Sequence, residues 1–264
     1  MENAPFDAYS PRQIAERLEA LCIAKAATPL LSLVMLGVLA GAFIGLGALF
    51  SVIVLSDPGL GFAASRVLAG AVFSLGLILV VVAGAELFTG NNLLAMAWAQ
   101  RTVSTKDVLA NWAVACSANF VGAAGLALLV FLSGHTDMND GAVGRTYLEI
   151  AAAKSALPFW TAFWRGVLCN VLVCMAVWMS LAGRSVTDKA MAIVFPISAF
   201  VAAGFEHSIA NMYLFPLATM LQVAQGAPLD LSWLWTNLVP VIAGNLVGGS
   251  VLVALVYYVI YRRG

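Results

Sequence analysis

His207 stands beside Glu206 and Ser208 in the middle of a long apolar stretch, Ala190–Val223. An unpaired imidazole is costly in such surroundings, so this side chain reads as a hydrogen-bond or proton donor to a passing solute. The chain has one other histidine, His135, in a polar segment where solvation accounts for it. Glu86 and Glu206 also lie inside apolar runs. An ionisable group costs about 2.5–3.5 kcal/mol there on insertion scales, which marks it as functional or paired. Each glutamate is followed at the same spacing by an asparagine, Glu86-x4-Asn91 and Glu206-x4-Asn211. A carboxylate beside a helix break is expected to accept the freed backbone N–H groups, so Glu86, Asn91 and Glu206 are read as structural. Within the first break Thr89 offers a hydroxyl, and the N–H groups of Gly90 and Asn91 are expected to face a cavity. Asn170, in the apolar run Phe159–Leu181, is the candidate partner that orients the His207 ring. Thr89, His207, Asn170 and Asn211 thus form an expected substrate pore. Its donors lack a full positive charge, which suits an anion that must bind briefly and leave. Phe73, Leu77, Leu87, Phe88 and Phe200 are expected to form apolar constrictions beside it.

Catalysis fits poorly. Glu206, His207 and Ser208 are adjacent and point in different directions, so they cannot form a triad among themselves. No H-x3-H spacing and no cofactor motif is present, and Cys22, Cys116, Cys169 and Cys174 are scattered along apolar stretches. An intramembrane enzyme is therefore the weaker reading, with no catalytic residue, metal or cofactor expected. Zero formal net charge, with 13 basic against 13 acidic residues, leaves no basic stripe for nucleic acid.

Helices in lipid must position these groups. Hydrophobic residues make up 62% of the 264, charged residues 10%, and mean hydropathy is +0.96. Soluble chains carry roughly a quarter charged residues. The expected fold is all-α, a polytopic membrane protein with six transmembrane helices and the second and fifth broken. The spans read as Leu30–Leu55, Val67–Ala99, Val108–Leu132, Phe159–Leu181, Ala190–Val223 and Leu231–Tyr261, each near the length a bilayer requires or longer. Ahead of them, residues 1–27 lack the pattern of a signal peptide. Ser10-Pro11-Arg12-Gln13 reads as a capped helix start, with Ile14, Leu18, Leu21 and Cys22 on one face. This segment is expected to be a cytoplasmic amphipathic helix at the membrane surface, followed by one channel domain over residues 28–264.

Arg12, Arg17, Lys25, Arg101, Lys106, Arg184, Lys189, Arg262 and Arg263 fall on one side of the spans. Fewer basic residues, Arg66, Arg145, Lys154 and Arg165, fall on the other. The bias places both termini in the cytoplasm. Two polar patterns recur in register: the E-x4-N breaks, and Asn111-x7-Asn119, which returns as Asn237-x7-Asn245. With three spans per half, residues of about 28–132 and 146–261 are expected to form an inverted repeat whose broken helices meet at a translocation path.

At Ala83-Gly84-Ala85-Glu86-Leu87-Phe88-Thr89-Gly90-Asn91 and Gly204-Phe205-Glu206-His207-Ser208-Ile209-Ala210-Asn211-Met212 the chain resembles the formate/nitrite transporter family. Asn170-x3-Cys174-x3-Trp178-Met179, Gly183-Arg184-Ser185, Asp188-Lys189 and Gly244-Asn245-Leu246-Val247-Gly248-Gly249 extend the resemblance along the chain. It implies an aquaporin-like protomer, a homopentamer with a pore in each protomer, and a bacterial inner-membrane location. It also implies Thr89 in the first broken loop, His207 as the central histidine with Asn170 beside it, and Lys154 as a vestibule residue that attracts anions. Pro5-Phe6-Asp7 and Phe73-Ser74-Leu75-Gly76-Leu77 look like the formate-channel branch. Leu87-Phe88-Thr89-Gly90, Ala153-Lys154-Ser155 and Leu168-Cys169-Asn170 also resemble nitrite-channel members. Formate is the first expected substrate, with nitrite, lactate or hydrosulfide as alternatives. A water or glycerol channel would carry paired N-P-A loops, which the sequence lacks.

Overall fold

A computed structural model describes residues 7–263; Pro5 and Phe6 of the formate-like motif lie outside the described residues. Ser10 caps α1 (Pro11–Ala26) through a box with Gln13, and the helix buries Ile14, Ala15, Leu18 and Cys22. Among the described residues, five helices are long and apolar enough to cross a membrane: α2 (Leu30–Leu55), α3 (Phe62–Gly84), α6 (Thr105–Leu132), α8 (Phe159–Ser180) and α11 (Leu234–Tyr261). Between them lie the short α4 (Phe88–Asn91) and α5 (Leu94–Ala99), then α7 (Ala142–Ser155), α9 (Val186–Ala202) and α10 (Ser208–Ala224). The segment around Glu149 and Lys154, which the hydropathy pattern leaves without an element, is α7.

Small residues decide which helices touch. A Cβ on Gly122 would run into the Val38 carbonyl, bringing α6 against α2; one on Gly248 would meet the Val167 carbonyl, bringing α11 against α8. Gly70 approaches the Ser198 backbone in the same way, joining α3 to α9. Without a hydrophobic driving force between helices in lipid, such close backbone approach supplies the packing.

Two helices end among buried residues. The last turn of α3 widens to π-helix over Leu79–Gly84, Gly84 takes φ +84°, and Ala85 and Leu87 are extended before α4 begins. Only glycine adopts that positive φ at little steric cost. α9 ends at Ala202, Gly204 takes φ +72°, and His207 caps the start of α10.

Candidate functional site

The peptide groups freed at each interruption need partners, and side chains of the next long helix supply them. Asn119 of α6 accepts from Phe88 N–H at 2.9 Å and donates to the carbonyls of Glu86 (2.9 Å) and Gly37 (2.7 Å). Asn245 of α11 accepts from Ser208 N–H at 3.0 Å and donates to the carbonyls of Glu206 (3.0 Å) and Gly166 (2.8 Å). The glutamate carboxylates do something other than the N–H capping expected of them. Lys25 Nζ donates to Glu86 at 2.7 Å and to Asn91 Oδ1 at 3.1 Å, and Asn91 bridges Glu86 to Asn111 at 2.7 and 2.8 Å. In the second half Lys154 Nζ donates to Glu206 at 2.8 Å, and Asn211 bridges Glu206 to Asn237 at 2.8 and 2.7 Å. The carboxylates turn to lysine because a buried charge needs an opposite charge more than a neutral donor. Lys25 has no role assigned from the sequence. Its spacing to Pro29 matches that of Lys154 to Pro158, which was the available signal.

Between the networks sits the Thr89–His207 pair. His207 Nδ1 accepts from Ala210 N–H at 3.2 Å, and Nε2 lies 3.1 Å from Thr89 Oγ1. With Nδ1 acting as an acceptor, the ring proton belongs on Nε2, which donates to Thr89. Thr89 keeps its own hydroxyl proton for another acceptor. Asn170 does not hold the ring. Its amide donates to Thr89 O (3.2 Å), Asn92 Oδ1 (2.7 Å) and Asn245 O (2.7 Å), so it fixes the Thr89 backbone instead. Phe200 stacks on the imidazole with ring centroids 5.8 Å apart. Asn91 N–H, expected to face a cavity, donates to Leu87 O at 2.8 Å because it lies within the turn of α4.

Two cavities of about 240 and 380 Å³ lie nearby; His207 lines the smaller, and Thr89, fully buried, lines neither. The smaller is lined by Phe73, Phe200, His207, Asn211, Lys154 and Arg66; the larger by Leu77, Leu87, Glu86, Asn91, Lys25 and Lys189. They lie at opposite ends of α3, since Arg66 near its start lines one and Gly84 at its end lines the other. At 1.5 Å per residue those ends are about 27 Å apart, close to a hydrocarbon core. Phe73 lines the first cavity and Leu77 the second, one turn or about 6 Å apart along α3. Phe73 and Phe200 meet edge to face at 5.4 Å, and Phe88 is buried without lining either cavity.

A family model described as formate/nitrite transporter matches residues 12–259. The formate channel FocA of Escherichia coli (strain K12) is 38% identical, covering 98% of this chain and 96% of its own. The formate channel BtFdhC of Bacillus thuringiensis is 35% identical, over 97% and 96%. Among solved structures, a pentameric formate channel with formate bound superposes with TM-score 0.79 at 33% identity, over 88% of this chain and 97% of that one. An FNT family ion channel gives 0.83 at 30%, over 94% and 98%. This multi-pass membrane protein belongs to the formate/nitrite transporter family.

Proposed function

We propose that the chain conducts small monovalent anions, formate first, through a pore of its own between the two cavities. One observation carries this: Thr89 and His207 pair at 3.1 Å, with His207 on the wall of one of two cavities that each carry more basic than acidic residues. The named formate channels among the relatives supply the substrate. In this reading α3 with α4 and α5 is the second span, and α9 with α10 the fifth. Six crossings then form an aquaporin-like inverted 3+3 repeat over residues 28–264, with residues 1–27 cytoplasmic. Supporting the repeat, Lys25, Glu86, Asn91, Asn111 and Asn119 share corresponding bonds with Lys154, Glu206, Asn211, Asn237 and Asn245, while the Lys25–Asn91 bond has no counterpart among the described residues. The Lys154 cavity is external, the Lys25 cavity and both termini are cytoplasmic, and the membrane is the bacterial inner membrane. Exposed Leu31, Phe62, Trp160 and Phe195 meet lipid or neighbouring subunits of a homopentamer.

Magnitudes favour donation inside the proposed pore. Making the neutral acid of a carboxylate with pKa near 4 costs about 4 kcal/mol at pH 7. Carrying the bare charge through apolar surroundings costs at least as much. Lys154 draws the anion into the external cavity. His207 then holds Thr89 oriented while the Thr89 hydroxyl donates to the anion, and the proton is shared along this line. Full transfer from the ring would require a proton on Nδ1, displacing Ala210 N–H from the helix cap. Sharing by hydrogen bond is therefore the step this geometry supports. Formate uptake into proteoliposomes tests it: His207→Phe should flatten the pH dependence of flux. Unchanged flux with unchanged pH dependence would remove His207 from the mechanism. A parallel panel of nitrite, lactate and hydrosulfide ranks the substrates.

A further inference from the structure

The cavity on the Lys154 side contains more positive charge than the paired network uses. Glu206 is the only carboxylate among its lining residues, and Lys154 neutralises it at 2.8 Å. Arg66 and Arg165 line the same cavity, and neither forms an ion pair among the described residues. Both flank the loop that interrupts α9 and α10. Arg66 donates through Nε to Ala202 O at 3.1 Å and through Nη2 to Val201 O at 2.8 Å, closing the C-terminus of α9. Its remaining N–H groups have no acceptor among the described residues. Gly204 makes room for it, since a Cβ there would lie 3.1 Å from Nη2 in addition to its positive φ. On the other side of the loop, the Arg165 carbonyl accepts from Glu206 N–H at 3.3 Å, while Arg165 is exposed and its guanidinium makes no hydrogen bond among the described residues.

We infer that Arg66 and Arg165 form a carboxylate-binding site at the mouth of this cavity, which loads planar two-oxygen anions ahead of the Thr89–His207 pair. A guanidinium presents parallel N–H donors that match two carboxylate oxygens, whereas an ammonium is a point charge without that fork. The opposite cavity offers lysines only, Lys25 held by Glu86 and Lys189 beside it. Chemical selection among anions is thus stronger on the arginine side, and the two faces of the pore differ in apparent affinity for formate. Two cations at one mouth also raise the local anion concentration, an effect that weakens with salt.

This inference rests on the anion-channel reading, and the experiment separates the two. Formate flux is measured in both directions across oriented vesicles carrying the full chain, as a function of formate on each face. Arg165 is the residue to change, because its side chain holds nothing in the fold. Arg165→Gln should raise half-saturating formate on one face by about five-fold and leave it unchanged on the other, with the ratio of maximal flux to half-saturation staying equal in the two directions as a passive pore requires. Arg165→Lys keeps the charge and should leave most of that shift in place. Absence of a shift, an equal shift on both faces, or full rescue by lysine overturns the site. Wild-type vesicles without formate flux would instead overturn the channel reading itself.

Discussion

Ala210 N–H donates to His207 Nδ1 at 3.2 Å, which leaves the imidazole proton on Nε2, 3.1 Å from Thr89 Oγ1. A single residue is therefore both the cap of α10 and the hydrogen-bond partner of Thr89, and the two contacts share one ring geometry. Thr89 is held from behind, where Asn170 Nδ2 and Cys174 Sγ donate to its carbonyl at 3.2 and 3.4 Å. Thr89→Val keeps the shape and removes the hydroxyl, so formate flux should fall by about ten-fold with the fold intact, the loss of one good hydrogen bond in the proposed pore. Equal flux in proteoliposomes would take Thr89 out of the path. Residue type and apolar context made Thr89 and His207 legible as candidates. The role of Asn170 was not legible, because an asparagine in an apolar helix advertises a polar partner without saying which one. Only the fold brings Asn92, Asn245 and the Thr89 carbonyl within its reach.

Helix interruptions are stable here because neighbouring helices supply the missing hydrogen bonds. Asn119 and Asn245 each serve one N–H and two carbonyls. Removing either leaves buried backbone groups unpaired in a layer that water does not reach, at about 1–3 kcal/mol for each group. Asn119→Ala and Asn245→Ala should each destabilise the protein by about 3 kcal/mol or more, read by denaturation in mixed micelles. Wild-type stability in either variant would show that water, not asparagine, serves the break. Their x7 spacing after Asn111 and Asn237 was visible as a repeat, yet spacing alone gave no target for the amides. The segment after α6 behaves differently. His135 lies in a 3₁₀ turn with Nε2 buried and unpartnered, not simply solvated as its polar surroundings imply. Burial lowers its pKa below the ordinary value of 6.5. The folded state thus favours neutral His135, so its contribution is intact above that value and is lost as pH falls below it. Protease access to residues 133–141 should rise on acidification from about pH 7.5 to 5.5 and cease to do so in His135→Gln. Equal acid sensitivity in that variant would exclude His135 as its source.

Every group that builds the proposed path, from Arg66 through the Thr89–His207 pair to Lys25, belongs to one chain. Hydropathy carried the all-helical, multi-pass organisation, because lipid forces apolar spans. The lysine anchors were not legible, since each lies outside the span whose glutamate it neutralises and is joined to it only by folding. If the assembly is a homopentamer with self-contained pores, its subunits must conduct independently. That independence has a measurable form. Leu77 is buried and lines the Lys25 cavity, so a large ring there should close the proposed pore from inside the chain. Leu77→Trp, once shown to block flux in pure assemblies, is co-expressed with wild type at graded ratios, and mixed assemblies are isolated through two affinity tags. Flux per assembly should then fall in direct proportion to the fraction of blocked subunits. A path shared at the pentamer axis would behave otherwise. One blocked subunit would narrow the common opening, and flux would collapse steeply at low blocked fractions. Proportional loss therefore supports a pore in each protomer, whereas steep loss would move the conduction path out of the chain and into the interface.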